Sequence, residues 1–195
     1  MDKYYKNFAY LFTNPEKSFK KFNKDGLKKS FQIIMTTLIT ITILQYLILI
    51  ISGETAGIIT IPEIISLLPV YIVFSALLAI ITIILTAILC SFCAKTFFKG
   101  KNNWKQTLTL LNYVALISYA FVIPMQICAY FPGATITIPL ISFVSLILSL
   151  RAAGLAVSKT NKTTKLQGLL IYFFINLIIS LPITFALEYA LLTLA

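Results

Sequence analysis

The 195-residue chain is 59% hydrophobic and 11% charged, yet its net charge is +10. So apolar a composition excludes a soluble domain, and the lack of any histidine removes Ser–His–Asp catalysis, HExxH zinc sites and most proton relays. Its lysines lie beside long apolar runs, so the expected partner is a membrane surface and not nucleic acid.

Residues 1–30 form a basic arm. In "LFTNPEKSFKKF", Asn14 is a good N-cap, Pro15 suits the first helical position and Glu16 complements the helix dipole. Gly26 is the expected stop. Tyr4, Phe8, Leu11, Phe12, Phe19 and Phe22 recur at about helical spacing, with Lys17, Lys20, Lys21 and Lys24 between them. Such a helix suits the headgroup region on anionic lipid, a cap on the end of a helix bundle, or both roles at once. The arm has no continuous apolar core, so a cleaved signal peptide is not expected and the first apolar run reads as an uncleaved anchor.

Residues 31–195 form one membrane domain. About 20 apolar residues cross the hydrocarbon, and five runs suffice: 31–52, 70–94, 107–131, 139–157 and 167–187. Between the first two, Gly53–Pro69 contains Glu54 and Glu63, read as solvated loop acids, and a short helix expected from Pro62. Cys90 and Cys93 end the second run as a CxxC. Small packing residues are the plain reading; acylation and redox chemistry are the alternatives. No metal site or cofactor is expected, because four zinc ligands cannot be assembled.

The second basic connection, "KTFFKGKNNWKQ", mixes Phe97, Phe98 and Trp104 with lysines. Lys99, Lys101, Trp104 and Lys105 thus join the arm's lysines as a surface for lipid or a partner, interfacial anchoring being the simpler alternative. Pro124 and Pro182 interrupt the third and fifth runs, while Gln45 and Asn176 are expected to hydrogen-bond between helices.

The fourth run holds the chain's only arginine. Ser142, Ser145, Ser149, Ala152, Ala153 and Ala156 make a small-residue stripe for close packing. Arg151 lies roughly 140° from it at 100° per residue. Either the bilayer boundary comes at Leu150, or Arg151 joins Asn112 and Tyr172, at about equal depth, in a small polar layer.

Eight lysines fall in residues 1–30, four in Lys95–Lys105 and three in Lys159–Lys165, while Gly53–Pro69 and Pro132–Ile138 hold no basic residue. By the positive-inside rule the N-terminus is expected in the cytoplasm and the C-terminus outside. Fifteen lysines to one arginine, with abundant isoleucine, suggest an AT-rich prokaryotic genome.

The order of parts resembles the Yip-domain family of Ypt/Rab-interacting polytopic membrane proteins. The "NPEKSFKKF" helix, five spans, Gly100 followed by "WKQTLTLLNYVA", and "LRAAGLAVSKTNKTTK" before the last span carry the resemblance. It implies a five-span architecture; eukaryotic relatives are associated with Rab GTPases and vesicle traffic. Their aspartate-leucine-tyrosine-glycine-proline motif is absent from this sequence.

The fold expected is therefore an all-α integral membrane protein, a five-helix transmembrane bundle with an N-terminal amphipathic interfacial helix. The function expected is a non-enzymatic scaffold or adaptor whose basic cytoplasmic face meets anionic lipid, a membrane or cytoplasmic protein, or a second copy of the chain. A small-solute or lipid transporter is the alternative. No catalytic residues are expected, because the candidate nucleophiles lack a base.

Overall fold

The computed structural model describes residues 9–56, 61–130 and 134–194. Among them the structure is helical with no strand. After a helical turn over residues 9–13 come α1 (Pro15–Phe22), α2 (Leu27–Ala56), α3 (Ile61–Phe98), α4 (Trp104–Cys128), α5 (Ala134–Asn161) and α6 (Lys165–Leu194). Each of α2–α6 contains a stretch long and apolar enough to cross a membrane: Leu27–Ile48, Ile72–Phe98, Trp104–Cys128, Ala134–Asn161 and Lys165–Pro182.

Helix α1 starts as its residues dictate. The Asn14 side chain accepts from the Lys17 N–H at 3.4 Å, Pro15 opens the first turn and Glu16 follows. Its end differs from expectation: the helix stops at Phe22 with Asn23 as cap, and Gly26 instead opens α2. The Gly26 carbonyl accepts from the N–H groups of Lys29 and Ser30. A helix start needs such an acceptor as much as a helix end needs a left-handed residue.

The outer connection also differs. The short helix expected from Pro62 is absorbed into α3, which runs unbroken from Ile61 past Pro69. Tyr4, Phe8 and the side chains of Glu54 and Glu63 lie outside the described residues. Prolines 124 and 182 lie within α4 and α6, which continue through them.

Helix α4 is the axis of the bundle, packing against α1, α2, α3 and α5, while α6 packs on α5 and α3. From Thr107 to Ile117 it is buried on every side except at Ala115, which is half-buried. Helices α3, α5 and α6 instead turn large apolar side chains outward, among them Phe74, Ile81, Leu140, Phe143, Phe173 and Ile178. Water would not tolerate so extensive an apolar belt; lipid supplies its solvent.

Two side-chain pairs fix the register of α4 against α5. The hydroxyls of Thr107 and Thr160 are 2.7 Å apart and those of Ser118 and Ser149 are 3.0 Å apart. In this antiparallel register Arg151 is level with Leu116. The first turn of α2 is tied one turn higher, where the Asn112 amide donates to the Ser30 hydroxyl at 3.0 Å. Helix α4 therefore extends roughly 7.5 Å past the start of α2, at 1.5 Å per residue.

Candidate functional site

The lysine-bearing end of the bundle is locked by polar contacts. Asn161, wholly buried, donates through its amide to the hydroxyls of Thr107 and Thr160 and to the Val157 carbonyl. Its side-chain oxygen accepts from the Asn103 N–H at 3.2 Å, and its backbone carbonyl from the Lys101 N–H at 2.7 Å. Thr107 also pairs with Ser91 at 3.0 Å. One asparagine thus joins α4, α5 and the connection after α3, with α3 held through Thr107. Buried amides and hydroxyls require partners, so this cluster closes only in one geometry.

Two connections are shaped by left-handed lysines. Lys99 (φ 53°) and Lys162 (φ 57°) end α3 and α5, and the next N–H in each case returns to a helix carbonyl: Gly100 to Ala94 and Thr163 to Ser158. Gly100 has no room for a side chain, since a Cβ there would lie 2.7 Å from the Asn161 carbonyl oxygen.

The arm packs onto this end. Leu11, Phe19 and Phe22 are buried in the bundle, and Phe22 stacks on Tyr113 with ring centroids 3.9 Å apart. Phe12 meets Phe121 edge-on at 6.2 Å. The Tyr113 hydroxyl donates to Asp25 at 2.7 Å, Lys29 donates to the other oxygen of Asp25 at 2.8 Å, and Gln106 donates to Asn23 at 2.6 Å. Of the two roles open to the arm, capping the bundle is the one its apolar stripe fills here: the faces that would enter lipid are turned onto α4.

The lysines remain outside. Lys17, Lys20, Lys21, Lys24, Lys99, Lys101 and Lys105 are all exposed, the last 5.8 Å from the Trp104 ring, while Trp104 itself is half-buried against the core. Glu16 pairs with Lys165, which holds its carboxyl below the ordinary carboxylate range. This contact therefore survives that range and is lost only as pH falls through the lowered value.

The expected polar layer of Arg151, Asn112 and Tyr172 is not assembled. Asn112 turns to Ser30 on α2, and its Oδ1 has no partner among the described residues. Tyr172 lines cavities on the far side of α6, whereas Arg151 is exposed in a groove with Glu16, Leu155, Lys165, Leu166 and Leu169. Equal depth is therefore not equal face. Ser145, Ser149, Ala152, Ala153 and Ala156 are buried and Ser142 is half-buried. The closest approach, however, is made by glycines. A Cβ on Gly154 would lie 2.7 Å from the Leu169 Cα, and one on Gly168 would lie 2.3 Å from the Gly154 carbonyl oxygen.

Away from this end the bundle loosens. Among the described residues, helices α4 and α6 make no close backbone approach. Between them lie two cavities of about 360 and 340 Å³ that share Ser118, Tyr172 and Asn176. A third, of about 110 Å³, borders Gln45 and shares Ser75 and Tyr119 with the first. The amides of Gln45 and Asn176 thus line cavities, and neither makes the expected bond between helices among the described residues. Cys90 is buried and Cys93 half-buried, both as free thiols.

The signals missed in the sequence were the pairs "TN" at 160–161 and "QG" at 167–168. Each pairs a small residue with an amide close to a helix end. Compared with known proteins, the chain matches the family model described as the Yip1 domain over residues 9–187. No curated protein and no solved structure matches it.

Proposed function

Because the chain belongs to the Yip1 domain family of multi-pass helical membrane proteins, we propose that it works as a non-enzymatic membrane scaffold. Its lysine-bearing end would offer anionic lipid, or a protein partner, a rigid basic platform. One observation carries this reading: polar groups at that end are spent on closing the structure, while the lysines stand exposed around it. A locked base with exposed charges suits a docking surface better than a reaction centre.

By the positive-inside rule this end would face the cytoplasm; the lysine and isoleucine bias suggests a prokaryote, whose plasma membrane would then be the site of action. Reporter fusions at Asn103 and Asn161 are expected to read cytoplasmic, and fusions at Thr55 and after Ala195 external. A cytoplasmic C-terminus would remove the platform from the side we assign it.

The functional test uses the full chain reconstituted in mixed vesicles with a fluorescent anionic lipid. Enrichment of that lipid around the protein is expected, with a more than tenfold loss of affinity when Lys17, Lys20, Lys21 and Lys24 are all changed to Gln, because each contributes about 1 kcal/mol. An unchanged enrichment would remove the arm from the platform.

A second reading, passage of a small solute or a lipid, draws support from the adjoining cavities around Ser118, Tyr172 and Asn176. In the same vesicles, solute uptake abolished by Asn176→Leu would favour it over the scaffold. Protein-independent uptake would count against it.

A further inference from the structure

Arg151 poses a problem that the bundle itself does not solve. It is exposed, and no carboxylate pairs with it among the described residues. Yet it continues an outward stripe of large apolar residues on α5. Ile136, Leu140, Phe143 and Ile147 are 48–68% exposed, and Arg151 is the next residue on that face. A guanidinium facing hydrocarbon would be costly.

Its level shows where the hydrocarbon stops. Arg151 is level with Leu116, three residues or about 4.5 Å deeper than Tyr113, which bonds Asp25 just before α2. The exposed Lys28 and Lys29 begin α2 about 7.5–9 Å above Arg151 on the same count. Arg151 therefore stands within two helical turns of the lysine-bearing end, on a lipid-facing wall, where its long side chain can reach toward lipid phosphates.

The groove of about 360 Å³ beside it has Leu155, Leu166 and Leu169 as its apolar walls, with Arg151, Lys165 and Glu16 as its polar lining. The Glu16–Lys165 pair bridges α1 to α6 at this groove. Lys159 and Lys20 also lie near enough to act on the Glu16 carboxylate, so three lysines act on one anion.

We propose that this groove between α1, α5 and α6 is a binding site for one anionic phospholipid. Its phosphate is held by the Arg151 guanidinium and the Lys165 ammonium. Its acyl chains descend along Ile147 and Phe143 of α5 and Phe173 and Leu177 of α6. The planar fork of arginine matches two phosphate oxygens, which a lysine does not. The apolar walls select a lipid over a free anion. The site deepens the scaffold reading and rests on it: a lipid lodged here would touch the arm and the bundle at once.

The test uses the detergent-purified full chain and native mass spectrometry, with phosphatidylglycerol as probe, phosphatidylcholine as zwitterionic reference and inorganic phosphate as competitor. One phosphatidylglycerol is expected to be retained in preference to phosphatidylcholine, with phosphate failing to displace it. Arg151→Gln should weaken retention about fivefold and Arg151→Lys partly. Leu166→Trp, a bulky change at a residue 68% exposed, should block the groove without altering charge, whereas Tyr130→Phe, at the opposite end of the bundle and 55% exposed, should leave retention unchanged.

Wild-type retention in both Arg151→Gln and Leu166→Trp would overturn the site while leaving the platform standing. Loss in Arg151→Gln with full retention in Leu166→Trp would place the lipid outside the groove and overturn it too. Displacement by phosphate would make this a free-anion site. No preference for phosphatidylglycerol in the wild type would overturn both the site and the lipid-binding role of the platform.

Discussion

Gly168→Ala is expected to be the most damaging single-methyl change in this protein. The added Cβ would lie 2.3 Å from the Gly154 carbonyl oxygen and 2.7 Å from both the Cβ and the N of Ser158. Two of these three atoms are backbone, so no side-chain rotation can clear them. Helices α5 and α6 must separate, which also loosens the packing of Val157 against Ile171 and Ile175. Overpacking of a tight interior costs ~1–3 kcal/mol and occasionally more; a clash with backbone belongs at the upper end. Thermal unfolding of the purified protein in detergent measures it. The reference is Gly26→Ala, where nothing lies within 4 Å of the added atom and only a cap preference is lost. Equal midpoints for the two variants would show that α5 and α6 are not in contact through these glycines.

Asn161→Leu is the second. The substitution keeps the branched shape but strands the Asn103 N–H and removes the amide that donates to Thr107 and Thr160. A buried group left without a partner costs ~1–3 kcal/mol. The damage should be local: protease cleavage within Lys99–Asn103 should rise, because Asn161 orders that connection. Coupling supplies the sharper check. Thr107→Val alone should destabilise, but added to Asn161→Leu it should cost less than alone, since its partner has already gone. Strict additivity would mean that the two side chains act independently.

Much of the architecture was legible because a bilayer imposes few choices. A run of about 20 apolar residues must cross, so the five spans and the Asn14–Pro15 helix start could be read directly. The site was less legible, and Asn112 shows why. Its depth along α4 follows from counting residues, but its partner depends on which helix lies beside α4 on that face. The linear order suggested α5 and Arg151; the fold places Ser30 of α2 there. The arm shows a different limit. Phe19 and Phe22 were plainly apolar, but lipid and the side of α4 are equally good solvents for a phenyl ring, so no pattern could distinguish them. Gly168 was overlooked because a lone glycine in an apolar helix has no meaning until its neighbour is known.

The stacking of Phe22 on Tyr113 has a consequence for the order in which the protein is made. These rings are separated by about ninety residues of chain, and synthesis at ~5–20 residues per second leaves the arm waiting roughly 5–18 s for its partner. Throughout that interval its aromatic face has no protein to cover it, and the nearest apolar phase is the membrane already receiving α2. A helix with lysines on one side and phenylalanines on the other is suited to such a wait. The nascent arm would float at the bilayer surface, then leave it for the side of α4 when that helix arrives. The amphipathic character read from residues 11–22 would then describe a stage in the protein's birth, outlived by the finished fold.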